Sequence, residues 1–262
     1  MSTEPEVEVD LVIAHRVATI TINRPQARNS ITWDTIRELR RTIDDAGNDD
    51  DVRVIVLRGA GDKAFCSGAD LSTMRKDATS TDLHEARGEL AKLFRDLWQL
   101  GKPTIARVQG FALAGGLGLA LACDVVVASD TAVFGTPEID VGLWPFMVTV
   151  PMLRSMPPKV ALEMMMTGRR VSAREGQRLG FVNMVVPDIE LDKAVNDITR
   201  SLTNKAPHAM RVGRESFYRA LDMESDEALA FLHPLLSVTA EGEEAAEGIA
   251  AFNEKRKPNW QQ

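Results

Sequence analysis

Residues 104–128 read TIARVQGFALAGGLGLALACDVVVA. The opening run, Thr104–Val108, is apolar and rich in β-forming residues, which predicts a strand. Gly110–Gly116 follows as a loop of mostly small side chains. Gly115–Cys123 has no polar face, so it predicts a short helix buried all round. Asp124–Ala128 returns to a β-branched run that suits a buried parallel strand. Strand, loop, buried helix and strand in this order predict an α/β chain.

The same alternation extends upstream. Leu11–His15 and Val17–Ile22 predict two strands joined by a tight turn at His15–Arg16. Thr32 can cap a helix with Ile36, Leu39, Ile43 and Ala46 on one face, broken at Asp49–Asp51. Val52–Leu57 predicts a buried strand, and Leu83–Leu100 an amphipathic helix after the polar stretch Ser72–Asp82. Downstream, Ala132–Phe134 predicts a short strand and Val160–Thr167 a helix ended by Gly168. Ser172 caps a helix that stops at Gly180, and Val182–Val186 predicts a strand. Beyond Leu191 the pattern is helical to the end.

The 262 residues, 44% hydrophobic and 26% charged, describe a chain able to bury a sizeable core unaided. Cys66 and Cys123 are far apart and in no metal spacing, which suits free thiols in a reducing compartment. The acidic start, MSTEPEVEVD, has neither the basic and apolar runs of a signal peptide nor the arginines of a transit peptide. The apolar runs Phe111–Cys123 and Phe146–Leu153 are too short for a membrane span. A cytoplasmic location is expected. A net charge of −7 with no basic run argues against nucleic acid as a partner.

Two small-residue loops follow buried strands, Phe65–Asp70 and Gly110–Gly116, and the second opens a helix. Small side chains let a ligand approach the backbone, and a helix N-terminus offers free N–H groups. Two N–H groups aimed at one oxygen make an oxyanion hole. The same glycines would equally serve tight turns and close helix packing, and spacing alone leaves both readings open. Gly115–Gly118 lacks the third glycine of a dinucleotide fingerprint, and Ser67 sits in no nucleophile elbow. His15, His84, His208 and His233 stand at no triad or metal spacing.

In order along the chain, Ile22-Asn23-Arg24-Pro25, Asn29-Ser30, Lys63–Leu71, Lys102-Pro103, Gly110–Gly116, Cys123-Asp124, Phe134–Glu138, Thr167-Gly168, Gly180–Val182 and Val185–Pro187 resemble the crotonase superfamily, the enoyl-CoA hydratase/isomerase family. The resemblance implies a spiral of ββα units over residues 1–195 and a helical region over 196–262 that builds homotrimers or pairs of trimers. It implies an acyl-CoA thioester as ligand, with no cofactor beyond the coenzyme A of the substrate. By position it gives Ala69 and Gly115 as the two oxyanion donors and Glu138 as a catalytic carboxylate after Pro137. It implies CoA contacts from the backbone of Ala64, Ser67, Gly68, Ala69, Asp70 and Leu71. Arg28 and Lys63 become candidate phosphate partners, and Phe252 and Lys255 candidate contacts to a neighbouring subunit's CoA.

The chain departs from the family pattern at one decisive position. Hydratases of the family carry a second glutamate three residues after the second oxyanion glycine, where this sequence has Gly118. Hydration needs water activated and carbon protonated, which suits two carboxylates; moving a double bond needs one base. The single glutamate therefore favours isomerisation. Two other readings stand beside it: a different enolate reaction on a CoA thioester, such as decarboxylation or retro-Claisen cleavage, and a non-catalytic acyl-CoA-binding homologue. Glu138 should be tuned upward by an apolar pocket if it shuttles protons. Asp140, two residues on, would share its side in extended backbone and could then supply a substitute acid, but it reads more readily as a solvated loop aspartate. The bulky run Gly142–Val148 would either narrow the acyl pocket or pack the core.

Overall fold

The structure is a computed structural model that describes residues 7–70 and 79–261. Leu71 and most of the polar stretch after it lie outside the described residues. Chain order runs β1 (Val9–Ala14), β2 (Val17–Ile22), α1 (Trp33–Asn48), β3 (Val54–Gly59), β4 (Ala64–Cys66), α2 (Ser80–Gln99), β5 (Thr104–Val108), β6 (Phe111–Leu113) and α3 (Gly115–Ala122). It continues through β7 (Val125–Ser129), β8 (Val133–Gly135), α4 (Phe146–Ser155), α5 (Pro158–Thr167), β9 (Val171–Ser172), α6 (Ala173–Leu179) and β10 (Met184–Val186). The helices α7 (Leu191–Thr203), α8 (Pro207–Ala220), α9 (Ser225–Ala240) and α10 (Glu243–Asn253) end the chain.

The strands form two sheets. One has six strands in the order β1-β2-β3-β5-β7-β10, and the other four in the order β4-β6-β8-β9. All pairs are parallel except β1–β2 and β8–β9. Each turn of the chain lays one strand in the large sheet and the next in the small one: β3 then β4, β5 then β6, β7 then β8. Helices α2 and α3 close the first two turns. This is the spiral of ββα units that the resemblance implies.

Local sequence chemistry explains the elements. His15 and Arg16 both take positive φ (51° and 65°), the backbone of a two-residue hairpin turn. Thr32 accepts from Thr35 N at 3.0 Å and forms a capping box, and Ile36, Leu39, Ile43 and Ala46 are all buried. Thr79 caps α2 with Asp82, so that helix starts three residues before the predicted Leu83. Gly168 and Gly180 end α5 and α6 in left-handed conformation.

The large sheet separates two apolar clusters. Ile55, Leu57, Ala106 and Val108 face the main core, built with α1, α2 and α3. Val54, Val56, Ile105 and Val127 face the other way and pack Leu191 and Val195 of α7. A division at 195/196 therefore falls inside α7, a helix that covers the sheet. No helix among the described residues is long and apolar enough to cross a membrane.

The run Phe146–Leu153 becomes most of α4, with Pro151 inside the helix. Val148 is buried and Trp144 packs on the core. Val141, Leu143, Phe146 and Met147 are exposed, and Phe146 and Met147 line an open cavity with Phe94 and Trp98. Pro137–Val141 is a 3-10 helix, where i and i+2 diverge, so the extended backbone that a substitute acid at Asp140 would need is absent. Asp140 is exposed, with its carboxylate beside Gly168 at the end of α5.

Candidate active site

The two small-residue loops meet. A Cβ added at Gly68 would lie 2.7 Å from Ala114 Cβ and 3.4 Å from Gly115 N. Gly68 has φ 100°, which L side chains avoid. The first loop is pinned from outside. Ile31 N donates to Gly68 O (2.9 Å), and Asp70 N donates to Ile31 O (2.9 Å). Because Ile31 engages residues 68 and 70, the intervening Ala69 turns its own N–H to the opposite side. Ala69 is exposed, and its N–H has no acceptor among the described residues.

The second loop ends at Ala114, with φ 52° and ψ −128°. Such a conformation costs free energy and persists only where surroundings enforce it. Here Ala114 N donates to Gly135 O of β8 at 2.9 Å. Gly115 then opens α3 as its first residue, with no side-chain cap, so its N–H has no intrahelical acceptor. The bond to Gly135 also fixes where Glu138 stands, three residues further along.

Buried side chains brace this backbone. Asn29 Nδ2 donates to Ala60 O (2.9 Å) and Ala64 O (2.7 Å), and its Oδ1 accepts from Arg24 N. Gln109 Nε2 donates to Gly59 O (2.8 Å) and Gly61 O (3.2 Å). Arg24 donates to Asp70 Oδ2 at 2.9 Å and pairs with Glu8. Asp70 and Asn29 thus hold the loop. Asn29 was visible in the sequence only as part of the resemblance. Gln109 gave no signal beyond a polar residue between a strand and a glycine.

Glu138 is half-buried in the 3-10 helix that Pro137 begins. Its Oε2 is buried and has no hydrogen-bond partner among the described residues. Burial pushes the carboxyl up to about 7, against a smaller opposing bond from its own backbone. Near neutral pH such a group both takes and gives protons. The Cys66 thiol is pushed up to about 12 by burial, which removes it as a nucleophile.

Gly118 lies in the buried helix α3. A Cβ there would meet Phe94 Cζ at 2.6 Å, Phe94 Cε2 at 3.2 Å and Val148 Cγ2 at 3.3 Å. The place of the second glutamate is therefore filled by an aromatic ring from α2 and a methyl from α4. Nothing in the local sequence marks Phe94 for this, since the contact is made by the fold.

The remaining predicted residues scatter. Ala64, Ser67, Gly68, Ala69 and Asp70 share the first loop and the strand before it. Arg28 and Lys63 are exposed nearby, Arg28 through its carbonyl, which accepts from Ser67 N at 3.2 Å. Lys63 O accepts from Phe111 N, tying the two loops' approaches. Phe252, 83% exposed, and Lys255 lie at the end of α10, which packs α9 and bonds the start of α8 through Glu244. Within one chain they stand apart from the loops.

Comparison with known proteins agrees with this geometry. Residues 13–262 match the sequence model of a family described as Enoyl-CoA hydratase/isomerase. The chain is 37% identical over 246 residues to a short-chain-enoyl-CoA hydratase of Clostridium acetobutylicum, covering 92% of this chain and 93% of that one. It is 34% identical to an (E)-benzylidenesuccinyl-CoA hydratase of Thauera aromatica, covering 95% and 97%. Among solved structures, an enoyl-CoA hydratase of Mycobacterium smegmatis superposes with a TM-score of 0.94 at 33% identity, over 98% of this chain and 100% of that one. The interleaved sheets, the meeting of the two small-residue loops and a match over nearly the whole chain lead to one assignment: this protein belongs to the enoyl-CoA hydratase/isomerase family of acyl-CoA enzymes, with the crotonase fold.

Proposed function

We propose that the protein isomerises an enoyl-CoA through a thioester enolate, with Glu138 as its single acid–base group. The Glu138 carboxylate removes a proton from C2 of a 3-enoyl-CoA. The electron pair moves onto the thioester oxygen, which accepts from the N–H groups of Ala69 and Gly115. The protonated Glu138 returns its proton at C4, and the double bond ends between C2 and C3. No water is consumed. The observation that carries this reading is the packing at Gly118: Phe94 and Val148 occupy the place where the resemblance puts a second carboxylate, while the carboxyl of Glu138 is pushed up to about 7. The names of the relatives support the substrate class. Hydration is said there of those proteins.

The pH dependence follows from the sign of the shift. Only the ionised carboxylate starts the reaction, so kcat/KM for isomerisation should rise with pH through one ionisation near 7. A rate that is flat across that pH, or that persists in Glu138→Gln, would remove Glu138 as the base.

Restoring the missing carboxylate should not restore hydration. Gly118→Glu forces a side chain into the Phe94 ring and buries a carboxylate, a cost of about 3 kcal/mol or more. Thermal unfolding should show a lower Tm, and 2-enoyl-CoA hydration should stay at the wild-type level.

Assembly belongs to the same proposal. Leu229, Leu236, Val238, Ile249 and Phe252 are exposed on α9 and α10, which supports burial between subunits as a trimer or a pair of trimers. Sedimentation would read the mass directly.

A further inference from the structure

A cavity of about 680 Å³ opens on the α7 side of the large sheet, on the face opposite α1 and α3. Two arginines share that side. Arg58 on β3 and Arg107 on β5 are register partners in a parallel pair. Like charges directly opposite one another destabilise a sheet unless something neutralises them. Arg107 is provided for: its Nε donates to Asp192 Oδ1 (2.5 Å) and its Nη1 to Gln109 Oε1 (2.7 Å). Arg58 is not. Its Nε is buried with no hydrogen-bond partner, and among the described residues its side chain makes no hydrogen bond or ion pair.

The surroundings offset that charge only in part, through the field of Asp192. Asp192 is the one carboxylate among the cavity's described lining residues, and it is committed to Arg107. Arg200 and His15 add nitrogen-bearing groups to the lining, and Thr19 and Thr199 contribute hydroxyls. Burial, and then the neighbouring Arg107, pushes the Arg58 guanidinium down from the ordinary arginine range. A half-buried guanidinium with no hydrogen-bonded counter-charge of its own is costly to keep. Its fixed fork of donors matches the paired oxygens of a carboxylate or phosphate.

We infer that this cavity is a second binding site, for a small oxyanion held by the guanidinium of Arg58 beside Arg107. The ligand is a carboxylate or a phosphate; both present two oxygens to a guanidinium edge. The site is on the other face of the sheet from the oxyanion loops and does not depend on the reaction proposed for them.

Calorimetric titration of the full chain with inorganic phosphate and, separately, with acetate tests this, each with and without CoA. At least one should bind saturably with a dissociation constant of about 1 mM or tighter. CoA should leave that affinity unchanged, because the two sites lie on opposite faces. Arg58→Gln should weaken it about tenfold or more, and Arg58→Lys, which keeps the charge but not the planar fork, should also weaken it. The ion that binds more tightly identifies the ligand chemistry. Absence of saturable binding by either ion, or equal binding in wild type and both variants, would overturn the proposal. Binding abolished by CoA but untouched by either substitution would assign the ion to the thioester site and overturn it equally.

Discussion

Glu138→Gln is expected to lower isomerase turnover by about 10³-fold while CoA still binds. The amide keeps the size and shape of the side chain but cannot accept the C2 proton. The same substitution should make the protein more stable. Glu138 has an ordinary value of 4.5 and is held at about 7 in the folded state. A carboxyl raised in this way contributes stability that is complete below 4.5 and is lost as pH rises through 7. Its buried Oε2 has no partner among the described residues to compensate the charge. Glutamine never ionises. At pH above about 8 the variant should therefore gain about 2 kcal/mol over wild type, a figure already reduced for partial solvent access. Denaturant titrations at that pH and below 4.5 would show the gain in the first and little difference in the second. Activity lost with stability gained is the pattern of a residue kept for chemistry. Equal stability at both pH values would mean the carboxylate is not strained.

Gly116→Ala should be strongly destabilising. A Cβ at Gly116 would lie 2.1 Å from Cys66 O and 2.7 Å from Cys66 C. Both are backbone atoms of β4, with no flexible side chain to move aside. Helix α3 would have to retreat from the strand. The contact between Gly68 and Ala114 would open with it, and the N–H groups of Ala69 and Gly115 would separate. The cost should be about 3 kcal/mol or more, a fall in Tm of roughly 6–12 °C for a chain of this size. Gly88 supplies the contrast. Nothing lies within 4 Å of a Cβ there, in the interior of α2, so Gly88→Ala should stabilise by about 0.5–1 kcal/mol. Differential scanning calorimetry of the two variants separates a steric requirement at Gly116 from a general effect of adding a methyl group to a helix.

The sequence carried the parts of the fold that depend on near neighbours. Thr32 and Ser172 mark helix starts because a hydroxyl reaches an amide three residues away. Gly168 and Gly180 mark helix ends because each takes positive φ. Gly115–Ala122 reads as buried because no side of it is polar. Phe146–Leu153 was harder: an apolar run containing Pro151 satisfies several templates, and in the fold it is a helix packed against α3, α5 and α2. At the site, the two loops were legible, but their meeting was not. Gly68 and Ala114 are far apart in sequence, and glycine spacing serves tight turns as well as oxyanion holes. The resemblance chose between those uses. Gly118 showed a missing carboxylate; it did not show that Phe94 from α2 and Val148 from α4 crowd the space a side chain there would need. Asp140 is the solvated aspartate that its polar setting suggests, and the alternative of a substitute acid fails because Pro137 begins a 3-10 helix where extended backbone would be needed. Arg58 and Arg107 gave no signal at all, because their adjacency depends on the register of β3 against β5.

The central claim is that one carboxylate, with the amides of Ala69 and Gly115, does the chemistry of this site. Its most direct test is to measure, on one preparation, isomerisation of a 3-enoyl-CoA and hydration of the matching 2-enoyl-CoA. Isomerisation that depends on Glu138, with hydration lower by about 10²-fold or more, is the result expected of a single acid–base group. Hydration as fast as isomerisation, with both lost in Glu138→Gln, would contradict it.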